Sequence, residues 1–406
     1  FRGLYTLRGA LEQSANVPAV RVFQQLGVHR SLAFLKKLEI SSIVENGPAN
    51  DLNAAALALG GMTNGVSPLE MSAAYAAFVN DGKYTEPVSF TKIVNRKGEV
   101  LIERTPKSHT AMDSGVAFLM RDALRTTVTN GVAKVAAVPN QPAAGKTGTT
   151  NDNYDTWFVG FTPQYCAAVW IGNDVNLELN QGSLAAARLW SKIMTKVSAP
   201  IKTGAYHPAP SNVISVTVDS KSGQLPSKLS SLDPRGTVHS EYFIKGTEPK
   251  TTDSLHQVAK LCIESGFLAT PSCTVTRNVM GTRRPYTPNM SVGDIGYEVP
   301  HFYCPLHNPN PSQYAIYSGS AIYNFTGGTA APAYDETSQG DDNTTTDTNT
   351  NTNTNRPPAV LPVPSTPSTP STPSTPSTPS TPSAPTPSAP STPTTPTNPS
   401  AAPDWL

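Results

Sequence analysis

The sequence of 406 residues is poor in cysteine, poor in charge and free of long apolar runs. Four cysteines are too few for a small disulfide-stapled scaffold. Charged residues make up 15% of the chain, and 30 basic against 29 acidic residues leave a net charge of +1. That balance excludes a strongly basic nucleic-acid binder and an acidic tail protein. No run approaches the roughly 18 apolar residues of a transmembrane helix, and no charged leader precedes an apolar core.

Proline is distributed unevenly along the chain. Residues 357–406 contain 17 of the 39 prolines and a single charged residue, Asp404. Such a segment buries too little apolar surface to offset its ordering entropy. We therefore expect four parts: a folded domain at 1–197, a proline-rich linker at 198–212, a small β-rich extension at 213–310, and a disordered Ser/Thr/Pro-rich tail at 311–406.

The first part combines helices with closely spaced strands. Pro18 predicts a break between helices at 4–11 and 19–26, because proline lacks an N–H and restricts the residue before it. Ser67-Pro68-Leu69-Glu70 is a capping box that predicts a helix to about Asn80. Further helices are predicted at 113–127 and 184–197. The predicted strands, joined by turns too short for parallel crossovers, are 143–150, 156–162 and 165–172. This pattern predicts an α/β fold of the α+β kind, with helices packed on an antiparallel sheet.

Two short motifs carry potential chemistry. Ser14-Ala15-Asn16 places a hydroxyl beside an amide at a helix corner, which suits proton relay and carbonyl binding. Lys146-Thr147-Gly148-Thr149-Thr150 lies on a predicted strand, where a cation and hydroxyls suit a carboxylate and Gly148 permits close backbone approach. Taken singly, each motif is common, since the first is also a helix cap and the second a solvated lysine before a turn.

The two motifs together resemble a known family. Ser-x-Asn followed by Lys-Thr-Gly belongs to the signature of the penicillin-binding proteins and class A β-lactamases. The flanking segments at 10–20, 58–71 and 155–161 resemble penicillin-binding proteins as well. The resemblance covers residues 1–197 and implies a transpeptidase domain of the penicillin-binding protein and serine β-lactamase fold. The linker, extension and tail resemble Gram-positive class A members, which are bifunctional peptidoglycan synthases.

The resemblance also implies residue roles. Ser14 would relay a proton to the leaving D-alanine amine, and Asn16 would hold the penultimate peptide carbonyl. Lys146 would set the field of the cleft, while Thr147 and Thr149 would take the terminal carboxylate. The backbone N–H of Thr149 would contribute to the oxyanion hole. The implied partners are peptidoglycan stem peptides and β-lactam antibiotics, with no nucleic acid and no cofactor.

One element of the family signature does not precede Ser14. Residues 1–13 contain no Ser-x-x-Lys, the motif that supplies the nucleophile, and Ser89-Phe90-Thr91-Lys92 lies in the wrong order on a predicted hairpin. We therefore expect a truncated synthase, inactive alone, whose glycosyltransferase domain and membrane anchor lie upstream. The intact protein would be extracytoplasmic and anchored in the cell membrane.

Other functional classes remain open. Residues 1–197 could be a noncatalytic peptidoglycan-recognition scaffold, with the extension and tail forming a cell-wall adhesion module. A β-lactam sensor is a third possibility, although a sensor needs no long tail. A histidine-dependent hydrolase is disfavoured because the sequence has no Gly-x-Ser-x-Gly elbow.

The cysteines add one unresolved choice. Cys166 lies in an apolar strand-like run and is expected to be a core residue. Cys262, Cys273, Cys304 and His307 could form a structural zinc site, or Cys262 and Cys273 could form a disulfide; the expectation for the chain as a whole is no metal. Nearby, residues 222–227 are echoed at 265–270, which suggests two small β-rich units.

Overall fold

The computed structural model describes residues 5–284, 294–310 and 312–314, and every structural statement below concerns these residues. The tail predicted at 311–406 lies outside them apart from residues 312–314.

Seven helices form in the N-terminal part, and four of them begin at a side-chain cap. Thr6, Ser67 and Asp113 each accept a backbone N–H from the first turn of their helix, and Ser67 forms the predicted capping box with Glu70. Such caps satisfy amides that have no partner within the helix. The helices are α1 Leu7–Glu12, α2 Asn16–Leu26, α3 Val28–Lys37, α4 Ala54–Leu57, α5 Pro68–Val79, α6 Ser114–Thr129 and α7 Ala185–Ser198.

The predicted break at Pro18 is misplaced. Helix α2 begins at Asn16, so Pro18 lies within its first turn, where the missing N–H would have had no intrahelical partner. The break falls instead at Gln13–Ala15, and Gly27 ends α2 with a φ of 84°, as expected.

The strands of this part form three antiparallel groups, and the first and fourth strands pair across the hairpin of the second and third in the chain. Residues 92–103 form the predicted hairpin, and the three strands predicted from short turns form an antiparallel sheet in the order β5-β6-β7. The strands are β1 Lys83–Thr85, β2 Lys92–Val94, β3 Val100–Glu103, β4 Ser108–Thr110, β5 Ala144–Thr149, β6 Thr156–Phe161 and β7 Cys166–Ile171.

Helices cover both faces of the central sheet. Ala144 and Phe161 face a buried cluster that includes residues of α5 and α6. Phe158, on the opposite face, packs against Trp190 of α7 with ring centroids 5.0 Å apart. The predicted architecture of helices on an antiparallel sheet is confirmed. Among the described residues, no helix is both long and apolar enough to cross a bilayer.

The proline-rich segment after α7 is held against the domain. Gly204 N donates to Gln141 Oε1 at 3.0 Å. The Tyr206 hydroxyl lies 3.0 Å from the carbonyl oxygens of both Pro142 and Phe161, which share its single proton. The segment predicted as a linker therefore also closes one end of the sheet.

The extension consists of two antiparallel strand pairs, which accords with the two suggested units. Strand β8 pairs with β9, and β10 pairs with β11. The strands are β8 Val213–Asp219, β9 Val238–Ile244, β10 His256–Cys262 and β11 Thr276–Thr282. All four cysteines are free thiols, so the alternative of a Cys262–Cys273 disulfide is not formed. Cys166 is half-buried and its thiol donates to Ser72 O at 3.2 Å.

Candidate active site

The Ser14 corner is a tight helix ending. Ser14 N donates to Leu11 O and Ala15 N to Ala10 O, which is the bond pattern of a Schellman motif. Ser14 has a φ of 52° in the position that glycine usually occupies, and a non-glycine residue there costs about 1–2 kcal/mol. Ser14 is exposed at this corner between the two helices.

Lys146 reaches that hydroxyl from the sheet. Its Nζ lies 2.6 Å from Ser14 Oγ and 2.9 Å from its neighbouring carbonyl, Thr147 O. The first bond joins residues 132 positions apart in the chain, so it depends on the tertiary fold. The structure therefore brings the two sequence motifs into one site.

Burial changes the proton affinity of this lysine. Desolvation disfavours the charged ammonium and lowers the pKa of Lys146 to about 8. A lysine with that pKa is partly neutral near pH 8, and a neutral amine can accept a proton from a bonded hydroxyl. The contact therefore pairs a hydroxyl with an amine that loses its proton more readily than an exposed lysine.

Strand β5 forms an edge of the sheet. It pairs with β6 and with no other strand among the described residues. Successive side chains of a strand alternate between its faces, so Lys146 lies on the face of α5 and α6, while Thr147 and Thr149 lie on the face of α7. A ligand can contact both sets only by lying along the open edge of the strand.

The remaining predicted residues flank this contact. Asn16, the first residue of α2, is exposed two positions after Ser14. Gly148 is opposite Trp157, and a Cβ at Gly148 would lie 3.2 Å from the Trp157 Cβ. Thr147 is half-buried and Thr149 is exposed at the strand end. None of these positions is remote from the Ser14–Lys146 pair in the fold, but their roles remain predictions.

Two positioning residues were missed from the sequence. Thr127 of α6 is fully buried, and its hydroxyl donates to Gly145 O, the carbonyl just before Lys146. Arg8 of α1 contacts Asp122 of α6 at 2.6 Å and Glu241 of β9 at 2.7 Å. Through these contacts, α1 and β5 are both attached to α6. Neither residue has a motif or spacing that could have identified it.

Comparison with known proteins identifies the class. Residues 2–195 match the family model described as the penicillin-binding protein transpeptidase domain, and this part of the chain belongs to that family. Residues 209–258 match the model of the C-terminal domain of penicillin-binding protein 1A.

Individual relatives narrow the comparison to one group. Penicillin-binding protein 1A of Clostridium botulinum is 38% identical over 310 residues, covering 74% of this chain and 36% of that protein. Penicillin-binding protein 1A/1B of Bacillus subtilis is 36% identical, covering 63% of this chain and 29% of that protein. The chain thus spans about a third of the length of these relatives.

A solved structure agrees with the fold. Penicillin-binding protein 1A from Haemophilus influenzae superposes with a TM-score of 0.51 at 25% identity. The match covers 61% of this chain and 41% of that one. The predicted family and fold are confirmed.

Proposed function

We propose that this chain supplies one wall of a D,D-transpeptidase site that cross-links peptidoglycan stem peptides. The observation that carries the proposal is the 2.6 Å contact between Ser14 Oγ and Lys146 Nζ, set beside the open edge of β5. An extended peptide can align along such an edge. The family membership of residues 2–195 supports the same activity and the binding of β-lactams.

In the proposed reaction, a nucleophilic serine attacks the D-alanyl-D-alanine carbonyl. A C–O bond forms, the C–N bond to the terminal D-alanine breaks, and Ser14 passes a proton to the leaving amine. An amine of a second stem peptide then attacks the acyl-enzyme and releases the serine. Thr149 N–H stabilises the oxyanion in both steps.

The ligand contacts follow from the two faces of β5. Asn16 holds the penultimate carbonyl on the side of α2, and the Lys146 ammonium attracts the anionic peptide terminus. Thr147 and Thr149 donate hydroxyls to the terminal carboxylate from the other side of the strand edge. Gly148 keeps the backbone open between them.

The nucleophile in this proposal comes from a Ser-x-x-Lys segment outside residues 1–406. We accordingly propose that the chain of 406 residues alone is not acylated by a fluorescent penicillin, whereas the longer protein is. Because the substrate is cell-wall material, we also propose an extracytoplasmic, membrane-anchored location for that longer protein.

The test is Lys146→Ala in the longer protein. We expect the β-lactam acylation rate to fall by about 10²–10⁴, because the variant removes the proton-exchange partner of Ser14. Thermal stability should change little, since a desolvated charge is removed with the side chain. The readout is the second-order rate of fluorescent penicillin labelling, together with the melting temperature.

Lys83→Ala is the matched control. Lys83 is an exposed lysine on β1, and its removal should leave acylation unchanged. An unchanged acylation rate in Lys146→Ala, or stable labelling of residues 1–406 alone, would contradict the proposal. Absence of labelling in the folded, longer wild-type protein would instead favour a noncatalytic recognition scaffold.

A further inference from the structure

Four metal-binding side chains converge in the extension, far along the chain from the Ser14 site. They are Cys262, Cys273, Cys304 and His307, and their ligand atoms all lie within 4.8 Å of one another. They come from three separate segments: the end of β10, the turn after Thr270, and the segment after β11. Cys262 and Cys304 are 1% and 0% exposed.

The distances fit a tetrahedral ion. With Zn–S near 2.3 Å and Zn–N near 2.05 Å, tetrahedral angles place a sulfur and a nitrogen about 3.6 Å apart. His307 Nδ1 lies 3.5 Å from Cys262 Sγ and 3.4 Å from Cys304 Sγ. Both values are close to the length of the corresponding edge of that tetrahedron.

Backbone bonds hold the ligands in place. Cys262 N donates to Phe267 O, Cys304 N donates to Leu268 O, and Thr270 N donates to Cys273 Sγ at 3.3 Å. An N–H directed at sulfur is the kind of contact that stabilises a thiolate. The other ring nitrogen of the histidine, Nε2, lies 3.5 Å from Glu264 Oε2. A carboxylate on the far side of a ligating imidazole fixes its tautomer and orientation.

The cluster is one of two equivalent sites in a duplicated fold. The first unit, residues 213–256, ends its leading strand at Asp219, where Gly223 N bonds Asp219 O and Asp219 N bonds Gln224 O. The second unit, residues 256–307, repeats both bonds around Cys262, with Gly266 N and Phe267 O. Gly223 and Gly266 have φ values of 72° and 74°.

The later ligands also have counterparts. In the first unit, Leu225 forms a parallel β-bridge with Thr252, the residue before Asp253. In the second unit, Leu268 forms the same kind of bridge with Tyr303, the residue before Cys304. The N–H of Asp253 or Cys304 donates to the leucine carbonyl in each case. Ser227 N donates to Ser230 Oγ at 2.8 Å, as Thr270 N donates to Cys273 Sγ. The four ligand positions of the second unit thus correspond to Asp219, Ser230, Asp253 and His256 in the first.

Hydrogen bonds connect the corresponding side chains of the first unit. His256 Nδ1 lies 2.9 Å from Asp253 Oδ2, and His256 Nε2 lies 2.9 Å from Asp233 Oδ2. These are hydrogen-bond distances between an imidazole and two carboxylates. At the same positions the second unit has three thiols around one imidazole, a donor set that makes only weak hydrogen bonds but suits Zn²⁺.

We infer that the second unit binds one Zn²⁺ through Cys262, Cys273, Cys304 and His307. Four protein ligands close the coordination sphere, so the ion is structural and not catalytic. The ion joins the end of β10 to the turn after Thr270 and to the segment after β11. The match to the penicillin-binding protein 1A C-terminal domain ends at residue 258, so nearly all of the second unit lies beyond it. The inferred zinc site does not depend on the proposed transpeptidase activity.

The test is metal binding by the reduced chain of 406 residues. We expect one zinc ion per chain by elemental analysis, and one equivalent of Co²⁺ to give the thiolate charge-transfer and ligand-field absorption of a tetrahedral site. Cys304→Ser should abolish the Co²⁺ spectrum. Cys166→Ser, the matched control, alters a thiol outside the cluster and should leave the spectrum unchanged.

A milder variant guards against misfolding. Glu264→Gln keeps all four ligands and should weaken zinc affinity about 10- to 100-fold, in line with losses on removing a carboxylate behind a ligating histidine. The inference is overturned if the reduced wild-type chain takes up neither metal, if Cys304→Ser retains the Co²⁺ spectrum, or if mass mapping of the freshly purified chain finds a Cys262–Cys273 disulfide.

Discussion

The two regions of this chain are stabilised in different ways. Residues 5–198 contain two apolar clusters of thirteen and ten buried residues. Only two acidic, basic or histidine side chains are buried among these residues, Asp51 and Arg121. The extension has one apolar cluster of four residues. Six such side chains are buried among its described residues: Asp219, Asp233, Asp253, His256, Arg284 and Glu298.

The difference follows from size. A small β-rich unit encloses too little apolar surface to stabilise itself, so it depends on cross-links of another kind. In the first unit those cross-links are ion pairs around a buried histidine, and in the second they are the proposed metal bonds. The same chain geometry therefore supports two kinds of cross-link, selected by acid or thiol side chains at corresponding positions.

Among the changes that test the difference between the two regions, His256→Ala is expected to have the largest effect on stability. The variant leaves Asp219, Asp233 and Asp253 buried without their shared cation, which should destabilise the first unit by about 3–5 kcal/mol. Urea unfolding, combined with amide exchange of β8 and β9, measures the loss.

His239→Ala is the matched control for that experiment. His239 is a half-buried histidine of β9 whose Nδ1 lies 3.3 Å from Thr237 O, and it forms no ion pair within 4.0 Å among the described residues. Its loss should stay below about 1 kcal/mol. Equal losses in the two variants would show that the buried ion pairs do not stabilise this unit.

A smaller effect is expected from pH. Burial lowers the pKa of His256, but bonds to Asp233 and Asp253 and the charge of Asp219 outweigh it, so the pKa is raised. That stabilisation is complete below about pH 6.5 and is lost as pH rises through the folded-state pKa.

Burial alone would raise the pKa of Asp233, yet His256 and Arg235 lower it strongly.

The carboxylate contributes in the opposite direction. Stabilisation from Asp233 is present above about pH 4 and is lost as pH falls through its depressed folded-state pKa. Protection of β8 and β9 amides, corrected for intrinsic exchange, should therefore be greatest between about pH 4 and 6.5. Amides of β6 and β7 should vary less above pH 6.5. Parallel losses in both regions at alkaline pH would remove the distinction between them.

Local signals explain what the sequence could predict. The capping box at Ser67 fixed the start of α5, and the turns after Thr149 and Thr162 were short enough to require antiparallel neighbours. The family signature identified Ser14 and Lys146, and the structure places their side chains in contact. Pro18 misled because proline breaks a helix in its interior but is tolerated in its first turn.

Features that depend on tertiary contacts could not be predicted. The left-handed conformation of Ser14 was not predicted, because a serine rarely adopts it. The three aspartates around His256 (Asp219, Asp233 and Asp253) were not predicted, because their spacing in the chain matches no known motif. The hexapeptide echo was a faint trace of the duplication, which became clear only when the backbone bonds around Gly223 and Gly266 could be compared.

The central claim is that Ser14 and Lys146 act as one proton-transferring unit. A double-mutant cycle of Ser14→Ala and Lys146→Ala in the longer protein, read as the second-order rate of β-lactam acylation, tests it most directly. We predict that the double variant loses about as much as the more damaging single variant, because each change disables the same unit. Losses that multiply, as for independent residues, would contradict the account.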